Sequence, residues 1–331
     1  MPLEIIKTHS RLWSINAGIV MVVTDLHGDW DAYQRYRDCF ITRAKAGQAD
    51  VLVFVGDLIH GEGQTYTDRS VDILIDLLEL RKQYPIVYLC GNHELPHIYG
   101  FPLGKGDIEY TPAFEKALSQ SEYLNPILEL LDELPFFLRT TAGVTITHAG
   151  ATAIDTEEAQ VLFTWQHQEL LDWANQQIAR GEVEQLRMGY ARLSEADSYT
   201  ELAEHYLGVS EPDNPRYDNL LRGFLTTAHY HFALLRPTFF TGCEREHHIE
   251  HYGQVIEMFL EHFAEDYTPQ HFLVAGHMSV AGGHEVVAKQ HLRLASATHA
   301  TPREAGQYLL FDAAQPITTM EELCAGLKSV F

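Results

Sequence analysis

Cysteine is scarce: Cys39, Cys90, Cys243 and Cys324 lie far apart and form no CxxC pair. That fits a reduced compartment better than a disulfide framework. The start of the chain, MPLEIIKTHS, lacks the basic-then-apolar pattern of a secretory signal, so the expected location is cytoplasmic. Basic residues are also few, 23 Lys and Arg against 46 Asp and Glu, a formal charge of −23. An acidic surface repels phosphates, so neither nucleic acid nor an anionic membrane is an expected partner. No apolar run approaches the roughly 18 residues of a membrane helix, and no repeat or low-complexity tract is present. Disorder is excluded too, because 46% hydrophobic and 11% aromatic residues can build a sizeable core. Against these absences stand 19 histidines.

Short apolar runs come first, at Ile19–Thr24, Val51–Val55 and Ile86–Leu89. They read as buried strands, with helix-like segments near Ala32–Ala46 and Ser70–Gln83 between them. That alternation predicts right-handed βαβ units and a largely parallel sheet. From about Thr156 to Thr268 the spacing turns helical, as in Leu162–Ala179, Tyr199–Leu207 and Gln254–Phe263, broken at Glu211-Pro212-Asp213-Asn214-Pro215. Strand character returns at His271–Ala275, Glu285–Lys289, His291–Ala297 and Gln307–Phe311, predicting a second sheet packed on the first. The expected organisation is one domain over residues 1–331, with a helical insertion or cap at 156–268.

Each early strand ends in metal-ligand residue types: Asp25-Leu26-His27-Gly28, Gly56-Asp57 and Gly91-Asn92-His93-Glu94. Two later runs end alike, Val144–Thr147 in His148-Ala149-Gly150 and Phe272–Ala275 in Gly276-His277. Sites in open α/β sheets form beyond the carboxyl ends of the strands, so these side chains should converge. Mixed N and O donors suit Mn, Fe or Zn better than Ca or Mg. A bridging carboxylate would place two ions to clamp a phosphoryl displacement.

These five ordered blocks resemble the calcineurin-like metallophosphoesterase superfamily, and within it the phosphoprotein (serine/threonine) phosphatase branch. Gly-Asn-His-Glu, Ala275–Glu285 with Ser279 after His277, and Leu294–His299 followed by Gln307–Asp312 carry the second likeness. The resemblance implies a four-layer α/β/β/α sandwich of two mixed sheets flanked by helices. It implies two divalent transition-metal ions, with Asp25 and His27 on the first, Asp57 bridging, and Asn92, His148 and His277 on the second. His93 would be the general acid, a bridging water the nucleophile, and a phosphoprotein or small phosphoester the substrate. Gly28 and Gly91 would let the backbone pass close to the ions.

Two features depart from the branch. Its Gly-Asp-x-x-Asp-Arg-Gly block reads Gly56-Asp57-Leu58-Ile59-His60-Gly61-Glu62-Gly63 here, so Gly61 replaces the phosphate-gripping Arg. Asp68 and Arg69 are expected to take over the roles of orienting the acid histidine and gripping phosphate. Arg222 and Arg236 are candidates for a second grip, since a guanidinium binds phosphate oxygens bidentately. His60 and His284 are expected near the metals. Elsewhere plainer readings hold. His247 and His251 belong to a solvated face, and His229 and His231 to packing or capping in an aromatic helix. Trp165, Trp173, Tyr230 and Phe232 belong to the core of the insertion. The competing functions are a nucleotide hydrolase of the diadenosine polyphosphatase type and an inactive scaffold.

Overall fold

The computed structural model describes residues 3–61, 66–246 and 249–331. The chain begins with β1 (Glu4–Lys7), β2 (Leu12–Ala17), β3 (Ile19–Val23), α1 (Trp30–Lys45), β4 (Val51–Phe54), α2 (Ser70–Leu80), β5 (Ile86–Tyr88) and α3 (Leu95–Tyr99). A hairpin of β6 (Gly104–Lys105) and β7 (Ile108–Glu109) precedes α4 (Thr111–Ser119), α5 (Leu124–Asp132), β8 (Phe137–Thr140) and β9 (Val144–Thr147). A helical segment follows, made of α6 (Thr156–Phe163), α7 (His167–Arg180), α8 (Val183–Leu193), α9 (Tyr199–Leu207), α10 (Asn219–Ala228), α11 (Phe232–Phe239), α12 (Cys243–Glu246) and α13 (Ile249–Ala264). The chain then returns to strands: β10 (Phe272–Ala275), β11 (Val280–Ala281), β12 (His284–Ala288), β13 (His291–Leu294), β14 (Ala300–Thr301) and β15 (Gln307–Asp312), with α14 (Met320–Cys324) before β16 (Leu327–Ser329).

Two sheets dominate, one ordered β1-β2-β8-β9-β10-β13-β12 and the other β16-β15-β3-β4-β5. Both are mixed: β3, β4 and β5 run parallel, while β15 is antiparallel to β3 and β9 to β8. The early alternation foresees only the parallel part, because tight hairpins such as β8–β9 let strands pair antiparallel without a crossover helix.

Strand side chains alternate between faces, and here the alternation sorts them into separate cores. Val20, Val22, Val51 and Val53 share a cluster with Val144, Ile146, Phe272 and Val274 of the other sheet, so this cluster lies between the sheets. The alternate residues Met21, Leu52 and Phe54 join a cluster with Tyr33, Tyr36 and Phe40 of α1 and with Ile73, Leu74 and Leu77 of α2. On the other sheet Phe137 and Leu273 share that cluster with Phe163, Phe259 and Phe263. The result is a four-layer α/β/β/α sandwich. β9 and β10 are parallel neighbours, Val144 beside Phe272 through Thr147 beside Ala275, although the whole helical segment separates them in sequence. Because the pair is parallel, the segment leaves beyond Thr147 at one end of the strands and returns before Phe272 at the other.

Some expectations need correction. His229 and His231 sit in the turn between α10 and α11, not inside a helix. Trp165 and Phe232 are buried and Trp173 is partly so, but Tyr230 is 72% exposed. His251 is exposed, while His247 lies outside the described residues. Among the described residues no helix is long and apolar enough to cross a membrane.

Phe54 is fully buried beneath α1 and α2. Phe54→Ala is expected to lower unfolding free energy by about 3–5 kcal/mol, the range for a large aromatic lost from a core. Val286→Ala, at a 48% exposed position, should stay within about 0.5 kcal/mol. Urea unfolding of both variants measures the contrast.

Candidate metal centre

The parallel strands β3, β4 and β5 deliver their C-terminal loops beside those of β9 and β10. The loop after β3 lies against the loop after β4: Leu26 and His27 donate backbone N–H groups to the Asp57 carbonyl, and Gly28 to that of Leu58. Glu94, fully buried, knits in the loop after β5 by accepting from the backbone N–H groups of Asp57, Leu58 and Gly91 and from the Tyr88 hydroxyl. Burial and the charge of Asp57 raise the Glu94 pKa to about 7, against the pull of these donors. Packing the loops this tightly strains them. His27, Asp57, His60 and His277 have φ of 45°, 49°, 69° and 68°, in the left-handed region that side chains avoid. A Cβ on Gly91 would strike the Asp57 carboxylate, and one on Gly276 the Asp25 carboxylate, so only glycine lets these backbones approach.

The six expected ligands are brought together around Asp57. Its Oδ2 is 3.3 Å from His148 Nε2, 3.9 Å from His27 Nε2 and 4.0 Å from His93 Nε2. Its Oδ1 accepts from the backbone N–H of His93. His148 Nε2 lies 2.9 Å from Asn92 Oδ1 and 3.1 Å from His277 Nδ1. Asp25 accepts from the His277 backbone N–H, at 3.0 Å to each oxygen. Three sets of side chains each have ligand atoms within 4.8 Å of one another: Asp25, His27 and His299; His27, Asp57 and His93; and Asp57, His148 and His277.

The donor chemistry fits a cation. His148 Nδ1 is 2.8 Å from the Val55 carbonyl, which can only accept, so Nδ1 carries a proton and Nε2 is the atom that would present a lone pair to a cation once its own proton is lost. Asn92 Oδ1 then faces only other acceptors. Turning the amide over would let its nitrogen donate to His148, His277, Asp57 and the Phe239 carbonyl. A carboxylate, an amide oxygen and imidazole lone pairs pointed at one place repel one another unless a proton or a cation sits among them. His27 Nδ1 and His299 Nδ1 are buried with no hydrogen-bond partner.

The titration pattern agrees. Burial alone would lower the His148 pKa, but the facing Asp57 and Asp25 carboxylates carry it up to about 9. Burial would raise Asp57, yet His148 and His93 hold it well below the usual carboxylate range. Burial, with Asp57 nearby, raises Asp25 to about 6. His93 is pushed down to about 3 by burial, helped by the other rings around it.

Other expected residues lie apart. The Arg69 side chain pairs with Asp72 at 2.8 Å and lies over Trp30. Asp68 holds Ser70 at the start of α2. Arg222 is committed to Asn175, Asn219 and the Pro215 carbonyl. In the structure, then, Arg69 and Arg222, expected to grip phosphate, and Asp68, expected to orient the acid histidine, are engaged with these partners. His284 is exposed on β12 and bonds Gln307, so it too leaves the centre. His60 takes the place expected of Asp68, its Nδ1 lying 3.1 Å from His93 Nδ1. His299 was missed. Its Nε2 is 3.1 Å from His27 Nε2 and its Nδ1 3.6 Å from Asp25. Only its place at the end of the Leu294–His299 segment hinted at it.

A proton on His148 must leave before a metal can use Nε2. A raised pKa means the proton is held below about pH 9, so metal affinity should rise as pH climbs from 7 and level off above 9. Mn²⁺ titration calorimetry at pH 7, 8 and 9, in buffers of different ionisation enthalpy, should show tightening affinity and proton release at the lower values.

The family described as calcineurin-like phosphoesterase matches residues 19–217. Among solved structures the chain is similar to a protein serine/threonine phosphatase from Saccharomyces cerevisiae, at 12% identity over 94% of this chain and 79% of that one, TM-score 0.45. It is similar to a cold-active protein-tyrosine phosphatase of a psychrophilic Shewanella species, at 15% identity over 97% and 82%, TM-score 0.43. It is also similar to a metallophosphoesterase from Sphaerobacter thermophilus, at 12% identity over 94% and 93%, TM-score 0.32. Likeness at this level carries no argument about substrate. A comparison with curated proteins finds no match. The family match spans more than half of the chain and takes in the strand ends that bear Asp25, Asp57, Asn92 and His148; the chain belongs to the calcineurin-like phosphoesterase family.

Proposed function

We propose that the protein hydrolyses phosphomonoesters, with phosphoserine and phosphothreonine side chains of proteins as its substrates and two Mn, Fe or Zn ions as its cofactor. Family membership makes it a metal-dependent phosphoester hydrolase, and its Asp and His groups are able to hold metal. One observation supports the finer reading most. The Asp57 carboxylate lies between a His27 side and a His148 side, with His93 Nε2 4.0 Å away from the same oxygen. That is room for a bridged pair of ions with a proton donor beside them.

Asp25, His27 and Asp57 would hold one ion, and Asp57, Asn92, His148 and His277 the other, with His299 an additional candidate beside Asp25 and His27. Bound there, divalent ions would neutralise phosphate charge and lower the pKa of a water toward neutrality. The chain's own residues do the rest. Glu94 and the strained loops keep the carboxylates in register before substrate arrives, and His93 would deliver a proton to the leaving alkoxide, a step a poor leaving group requires.

The helical segment at 156–268 is read as a cap within a single domain spanning 1–331. Phe239 of α11 packs near the His148 ring, at 6.5 Å between centroids. A cavity of about 890 Å³ lies beside the same helix, lined by Arg236, Phe101, Tyr230 and Phe240 among others. Arg236 is exposed there, whereas Arg69 and Arg222 are engaged with Asp72 and Asn175, so it is the arginine we take to meet a phosphorylated segment. The overall charge of −23 favours basic peptides over nucleotides.

Two measurements test this reading. With Mn²⁺-loaded protein, phosphopeptides should be cleaved faster than diadenosine tetraphosphate; the reverse order would move the assignment to nucleotide chemistry, and no turnover of either would favour a scaffold. His93→Asn should keep its metal content and lose about 10²–10⁴-fold in turnover, the range for a general acid. Loss of one metal equivalent would make His93 a ligand instead.

A further inference from the structure

The proton-donor role of His93 raises a difficulty. Its ring is buried beside carboxylates and other imidazoles, and it would work next to two cations. An imidazolium enclosed by other imidazoles and beside cations is unfavourable unless something behind the ring takes up part of its charge. What stands behind the ring therefore matters.

His93 Nδ1 lies 3.1 Å from His60 Nδ1, His60 Nε2 lies 2.7 Å from His97 Nε2, and His97 Nδ1 lies 2.6 Å from Glu115 Oε1. Glu115 also pairs closely with Arg216. All four members of the chain are at least 95% buried. Aromatic rings fix them in place: Tyr110 stacks on His60 and contacts His93, and Phe114 packs on His60 and on His97 at 4.2 Å. The three imidazoles come from the loop after β4, the loop after β5 and α3, whereas Glu115 comes from α4.

Hydrogen-bond polarity along this chain is determined from one end. The Arg216 guanidinium and His97 hold Glu115 below its ordinary pKa despite burial, so its carboxylate only accepts. With the three rings neutral, His97 then donates from Nδ1 and accepts at Nε2, His60 donates from Nε2 and accepts at Nδ1, and His93 donates from Nδ1. The tautomer of His93 is thus set three contacts away, at Glu115, and its Nε2 is left facing the Asp57 carboxylate.

We propose that His60, His97 and Glu115 form a positioning relay that lets His93 act as an acid. Adding one proton at His93 Nε2 brings the three rings and Glu115 together to zero charge, with Arg216 as a further positive charge at the Glu115 end. The proton is not confined to one ring: His93 can pass its Nδ1 proton to His60, His60 its Nε2 proton to His97, and His97 its Nδ1 proton to Glu115. In the chemical step the His93 Nε2–H bond breaks, a bond from that proton to the leaving oxygen forms, and the lone pair returns to Nε2. Water then restores the proton. This inference rests on His93 being the proton donor.

The experiment reads leaving-group dependence, because a proton donor matters for poor leaving groups and little for good ones. Turnover of 4-nitrophenyl phosphate and of phenyl phosphate is compared in the Mn²⁺-loaded wild type, His93→Asn, Glu115→Gln and Glu115→Asp, with metal content and KM measured for each. Expected for Glu115→Gln is unchanged metal content, KM within about twofold, a loss of about tenfold or more on phenyl phosphate, and a smaller loss on the nitrophenyl ester. Glu115→Asp should recover part of the loss, since it restores the charge. If His93→Asn shows the selective loss and Glu115→Gln loses equally on both esters or on neither, the relay is overturned and the acid assignment stands. If His93→Asn is itself unselective, the acid assignment falls and the relay with it. Should Glu115→Gln fail to fold, His97→Gln, which can still bridge His60 to Glu115 but cannot pass a proton, replaces it; an unselective result there overturns the relay equally.

Discussion

The structure is organised by a local repulsion. Asp57, Asn92, His148 and His277 bring ligand atoms within 2.9–3.3 Å of one another, with Asp57, Asn92 and His148 buried. Such an arrangement is unfavourable in a protein that merely packs, and it persists only where a positive charge is expected. The proton affinity of His148, the depressed pKa of Asp57 and the reversed preference of the Asn92 amide all follow from this one arrangement.

Holding it together falls to the loops and to the sandwich beneath them. The strand ends would drift apart without a partner for their backbone donors, and Glu94 supplies it, accepting from both the β4 and β5 loops at once. Four residues of the site accept left-handed backbone angles as a consequence. The flat apolar cluster between the sheets, rich in valine, has no polar demand of its own and serves as the rigid base for that strain.

How much of this could be read from the sequence follows from range. Asp25, His27, Asp57, Asn92, His93, His148 and His277 each directly follow a buried apolar run, so strand-end convergence places them together without knowledge of any contact. The strands β1, β2 and β8 carry mixed runs such as Glu4–Lys7 and Phe137–Thr140, whose partners lie far away, and the sequence gives no local cue to them. Arg69 and Arg222 fit a phosphate grip by residue type, but type does not reveal that Asp72 and Asn175 engage them first. His97, Glu115 and Arg216 look like ordinary helix and loop residues in sequence. Only tertiary contacts reveal that they form one line with His60 and His93.

That line also changes the meaning of the helical segment. Arg216 directly follows the breaker-rich stretch between α9 and α10, and its partner Glu115 lies on α4, which packs against α9. Gly223 of α10 meets the backbone of Gly100, at the end of the helix that carries His97. The segment therefore touches the centre on two sides, through Phe239 near His148 and through Arg216 on Glu115. A shift in its packing would be felt at the charge that balances His93 and also at the wall over the second metal set. If substrate contacts the segment, as proposed, these two contacts are the route by which it would reach His93 and the second ligand set.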